Sequence, residues 1–140
     1  MTIIVGGACQ NSGTEHMTET RNVSSSTNKT TGGRVVKLST TGEYIQKVTA
    51  ITDAPYGIVV GEIGKTSVNN YSLSECICTR GRGVYAELDS AVTSITAGAN
   101  AYITASGTIT DSDAGSYIGV FMSSTITEYS GKKTCLLRVG

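Results

Sequence analysis

The chain has 140 residues, 39% hydrophobic and 16% charged, which is room for one domain. A globular part of roughly 110 residues buries about 65% of its unfolded surface, enough for a core without staples. Eleven basic residues cancel eleven acidic ones, so no global field draws in nucleic acid, and no stretch approaches the ~18 apolar residues of a membrane span.

Thr, Ser, Val, Ile and Tyr dominate, glycines punctuate the chain, and no apolar pattern repeats at 3.6 residues. That composition predicts an all-β fold. The chain opens on a short β-prone run containing Ile3, Ile4 and Val5. It carries no positive n-region and is too short for a signal h-region, so synthesis and assembly in the cytoplasm are expected. Residues 6–32 follow, with Met17 and Val23 almost the only sizeable apolar side chains. A stretch this polar does not repay the entropy of its own ordering, so residues 1–32 read as an extended arm that orders against a partner, and 33–140 as a β-barrel body.

Residues 35–39 are the first strand expected of the body, a turn follows at 40–43, and 44–48 returns. The sole proline, Pro55, holds Ala54 extended before an apolar strand at 57–63, expected to be buried on both faces. Residues 73–79 and 84–88 flank Arg80-Gly81-Arg82-Gly83, whose glycines suit a hairpin turn or a bulge. Further strands are expected at 101–105, 108–110, 117–122 and 134–139, the last with Cys135, Leu137 and Val139 on one face. About nine short strands at this spacing argue for a small β barrel or sandwich.

The passage 33–60 is written again at 98–122. At an offset of 65, Gly33 lies over Gly98, Val36 over Ala101, Leu38 over Ile103 and Gly42 over Gly107. Further on, Gly57 aligns with Gly119 at an offset of 62, the second copy having a connection three residues shorter. An indel confined to a turn-rich connection is the mark of a duplicated β unit, and the two copies are expected to share strand direction and pairing.

Chemical motifs are few. Gly64-Lys65-Thr66 ends like a phosphate-binding loop, but Val59 stands where its first glycine belongs. Asp111 and Asp113 lack the following Glu that a calcium loop needs, and read as a solvated turn. His16, the only histidine, lies in the arm without a scaffold to fix it, which disfavours an enzyme. Cys9, Cys76, Cys78 and Cys135 match no zinc or disulfide spacing and read as small hydrophobes of a reducing compartment. No catalytic, cofactor or metal residue is expected. Arg80 and Arg82, beside their glycines, are candidates for contact with a neighbouring subunit.

The order Val-Val-Lys-Leu at 35–38, Ala-Pro-Tyr-Gly-Ile-Val-Val at 54–60, Cys-Thr-Arg-Gly at 78–81, Thr-Ala-Gly-Ala at 96–99, Tyr-Ile-Thr-Ala-Ser-Gly at 102–107 and Tyr-Ile-Gly-Val at 117–120 resembles the capsid decoration, or cement, proteins of tailed bacteriophages. The resemblance covers roughly 33–139 and rests on the order of weak motifs. It implies a small β barrel with an extended arm, a homotrimer with a dimer as the fallback, and attachment to the major capsid protein on the outer surface of the virion. It implies no catalytic residues. The Ser/Thr-rich arm and the Cys-rich strand depart from the family pattern. The capsid contacts expected on this reading are Ile3, Ile4, Val5, Met17, Arg21 and Val23, in an arm that reaches from one capsomer to the next. A glycan-binding or adhesive β module is the alternative; Trp is absent and the seven Tyr lie mostly in strands.

Overall fold

The structure is a computed structural model and describes residues 16–66 and 74–140. It is an all-β body: among the described residues ten strands form one curled antiparallel sheet, with a single 3-10 turn at Ser26–Asn28. The strands are β1 (His16–Asn22), β2 (Val35–Leu38), β3 (Ile45–Lys47), β4 (Gly57–Val59), β5 (Ser74–Glu87), β6 (Asn100–Ile103), β7 (Ile109–Thr110), β8 (Tyr117–Phe121), β9 (Thr127–Tyr129) and β10 (Lys132–Val139). Their order is β3-β2-β4-β5-β10-β8-β6-β7, with β1 added on β5 and β9 on β10.

The internal repeat is written into the pairing. Val36 lies opposite Gly57 in the first copy, and Ala101 opposite Gly119 in the second. Ile58 faces Cys78 and Val59 faces Ile77, as Val120 faces Arg138 and Phe121 faces Leu137. The Gly33 amide bonds the Val59 carbonyl at 3.0 Å, and the Gly98 amide bonds that of Phe121 at 2.8 Å. Both hairpins turn on a glycine in the left-handed region, Gly42 at φ 76° and Gly107 at φ 78°. In each, that glycine's amide bonds the carbonyl three residues earlier, a geometry a side chain would strain.

The repeat also reaches further back than the sequence shows. β1 pairs with the first half of β5, with Glu19 opposite Ile77 and Asn22 opposite Ser74. In the second copy, the second half of β5 pairs with β10 in the same way, with Val84 opposite Leu137 and Glu87 opposite Thr134. The residue after each opening strand, Val23 or Leu88, bridges in parallel to the hairpin strand of its own copy, at Ile45 or Ile109. Each copy is thus one curled unit, and β5 closes the first and opens the second.

Three expectations change. Residues 16–32 belong to the body and not to a free arm: β1 is zipped to β5, and Val23, 1% exposed, lies in the core with Val36, Ile45, Val59 and Ile77. Backbone pairing and one buried valine replace the apolar run that the sequence lacks. The first part of the expected arm, with Ile3, Ile4 and Val5, lies outside the described residues. Second, Arg80-Gly81-Arg82-Gly83 is no hairpin turn; β5 runs through it, and register shifts opposite it in both β1 and β10 mark the bulge alternative. Third, the apolar strand expected at 57–63 is confined to Gly57–Val59, all of it buried.

The cores follow from the duplication. The larger cluster is built on the interior of the second copy, from Leu88, Ala101, Ile103, Ile109, Phe121 and Leu137. It also takes in Val35, Ile58 and Cys78, an outward-facing row of the first copy. In the matching row of the second copy Asn100 and Arg138 are exposed and Val120 is half-buried. Burial and side-chain type agree: the covered row is apolar and the open one carries an amide and a guanidinium.

Candidate functional site

β1 begins, β5 bulges and β10 ends at the same corner of the sheet. Together they frame a groove of about 710 Å³ whose walls include Met17, Arg80, Arg82, Arg138, Val139 and Gly140. The bulge aims the arginines: Gly81 at φ 151° is buried while Arg80 and Arg82 on either side of it are exposed. Arg138 reaches the same groove from the outward side of β10. Arg80 and Arg138 make no ion pair or side-chain hydrogen bond with any described residue. Met17, 57% exposed, adds an apolar wall. His16 holds the corner together, its Nε2 hydrogen-bonded to the Arg82 carbonyl.

Three guanidinium groups around an open, partly apolar groove suit recognition of carboxylates or phosphates by forked hydrogen bonds. Of the residues expected to make contacts, Met17, Arg80 and Arg82 come together here. Arg138 was missed, although the alternation that puts Cys135, Leu137 and Val139 on one face of the last strand puts Arg138 on the other.

Arg21 and Val23 are placed elsewhere. Val23 is core, which takes it out of any contact surface. Arg21 is an internal fastener: it donates to Glu19 at 3.3 Å, to the Gly42 carbonyl at 3.0 Å and to the Tyr56 hydroxyl at 3.1 Å, and its guanidinium lies 5.3 Å from the Tyr56 ring centre. The Tyr56 hydroxyl in turn donates to Glu19. In the second copy the three equivalent positions hold Val84, Ala86 and Ile118, all buried. A polar triad therefore docks β1 where apolar contacts dock its counterpart.

Cys78 and Cys135 are buried, and burial pushes the Cys135 thiol up to about 12. Cys76, half-buried beside Glu75, is raised by desolvation first and by that carboxylate second. Among the described residues no three His, Cys, Asp or Glu side chains gather as a metal ligand set. Asp111 and Asp113 lie exposed in their turn. No protein-family model and no curated protein sequence matches the chain.

Proposed function

We propose that the protein decorates and stabilises the outer surface of a bacteriophage capsid, binding the major capsid protein and associating with copies of itself as a trimer, or as a dimer at two-fold positions. The observation that carries the reading is the arginine groove at the corner where the chain enters β1. A cement protein needs a rigid body at a junction and a further segment to engage the neighbouring subunit. The curled sheet supplies the body, and the groove gives it an anion-seeking contact. Affinity on such a lattice comes from many copies and not from one strong site.

The test is decoration of expanded capsids of the encoding virus, read by cosedimentation and by cryo-electron microscopy. Density for the β body on the outer shell is expected, and binding should fall at least ~10-fold in R80E/R138E. A bare shell would sink the capsid reading. Full decoration by the double variant would remove the groove from the contact, and with it the observation that carries the reading.

One observation favours the glycan-binding alternative. Tyr102 and Tyr117 meet edge to face at 6.4 Å on the outer side of β6 and β8, and Tyr117 is 44% exposed. Aromatic faces of this kind stack on sugar rings, and a glycan array probed with wild type and Y117A decides it.

A further inference from the structure

A second cleft, of about 380 Å³, runs between the two units. Its walls come from residues 29–35, the hairpin strand β3 and the Gly64 turn of the first unit, and from Ser106 and Lys132 of the second. Four cationic side chains line it: Lys29, Arg34, Lys47 and Lys132.

Their charges are not all balanced. Arg34 forks onto Glu87, with contacts of 3.3 and 3.1 Å, and Lys29 lies 3.9 Å from Glu75, both carboxylates being buried. Lys47 and Lys132 are exposed and make no ion pair with any described residue, so the cleft keeps two uncompensated ammonium groups. A second observation is independent of charge. The Thr31 hydroxyl on the cleft wall is buried and has no hydrogen-bond partner among the described residues, a cost that a ligand or water accepting from it would relieve. Thr66 and Ser106 stand on the same walls.

The geometry points to a binding site for a small dianionic oxyanion, a phosphate or phosphate monoester. Two negative charges match the two ammonium groups, and its several oxygens can accept from the hydroxyls around them. A carboxylate leaves one ammonium unmatched, and so does a phosphodiester. The site owes nothing to the capsid reading, because it lies in the seam between the units and not at the arginine groove.

Calorimetric titration of the full chain with inorganic phosphate, a simple phosphate monoester and acetate tests it, above the second ionisation of phosphate. Phosphate or its monoester should bind, with the tighter of the two identifying the physiological form, and acetate should bind at least ~10-fold more weakly. K47A/K132A should abolish the heat while leaving the circular dichroism unchanged, since both side chains are exposed. R80A/R138A should leave it intact. On the wild type, phosphate should shift the amide resonances of Gly64, Thr66 and Ser106. Absence of binding by both phosphate and the monoester, equal binding of acetate, heat that survives K47A/K132A, or shifts confined to Arg80 and Arg138 would each overturn the proposal.

Discussion

Replacing Arg21 with Ala should release β1 from the body without unfolding the rest. The side chain makes three hydrogen bonds, to Glu19, Gly42 and Tyr56, and covers the Tyr56 ring. It is 31% exposed, so each bond is discounted to roughly 0.5 kcal/mol, with about 0.5–1 kcal/mol more for the cation–π contact. The sum, about 2 kcal/mol, corresponds to a ~30-fold change in a local opening equilibrium. Because β1 pairs with β5 alone among the described strands, that loss falls on one element. Hydrogen exchange of the β1 amides bonded to β5 should therefore accelerate ~30-fold in R21A. The amides of β8 and β10, buried in the second unit, serve as the internal reference. Unchanged exchange in β1 would show that the triad does not fasten the strand. An equal acceleration in β8 and β10 would show that β1 has no opening of its own.

Gly57→Ala and Gly119→Ala should each destabilise by roughly 3 kcal/mol in chemical denaturation, because an added Cβ would stand 2.6 Å from the Cys78 carbonyl oxygen or 2.0 Å from that of Arg138; a variant as stable as wild type would refute the close strand approach. Asp53 accepts from the Thr49 and Ala50 amides and from Lys37, and these bonds hold its carboxyl down at about 2 against an ordinary 3.8. A depressed carboxyl contributes stability above its unfolded value and loses it as pH falls through the folded one. Thermal melts of wild type should thus drop more than those of D53N between pH 3.8 and about 2, and parallel profiles would contradict the assignment. N100V/R138V restores on the open row of the second unit the apolar character of Val35 and Cys78 in the covered one, and should drive concentration-dependent self-association in sedimentation; a strictly monomeric double variant would show that side-chain polarity is not what keeps that face open.

The strands legible in the sequence are those with one clean apolar face. β2, β6, β8 and β10 sit within a residue or two of their expected places, and the turn glycines Gly42 and Gly107 mark both hairpins. β1 was illegible because its inward positions carry Glu19 and Arg21, whose docking is by hydrogen bonds that composition does not announce. The continuity of β5 was hidden by glycines that read as punctuation but serve a bulge. The duplication was visible over 33–60 and 98–122, where glycines and apolar residues coincide. Further back, Glu19 answers to Val84, Arg21 to Ala86 and Asn22 to Glu87, and of these positions and the next only Val23 and Leu88 are apolar in both copies. What the two copies keep there is backbone pairing, which constrains side chains little. The arginine groove was half visible, since Arg80 and Arg82 are neighbours in sequence, whereas Arg138 joins them only through the sheet.

The differences between the copies fall into one pattern. Where the outward row of the second unit is exposed among the described residues it carries Asn100 and Arg138; where the first unit is covered by the second, its matching row is apolar. Where the opening strands dock, the order reverses: the second unit buries Val84, Ala86 and Ile118, and the first has the half-buried Glu19, Arg21 and Tyr56. The second unit thus carries most of the packed core and lends cover to the first, while the first holds its opening strand by groups that water or a partner's carboxylate can also satisfy. A polar fastening exchanges partners at small net cost, because the bonds lost are replaced, whereas an apolar one does not. The arginine groove takes Met17 of its wall from that same strand.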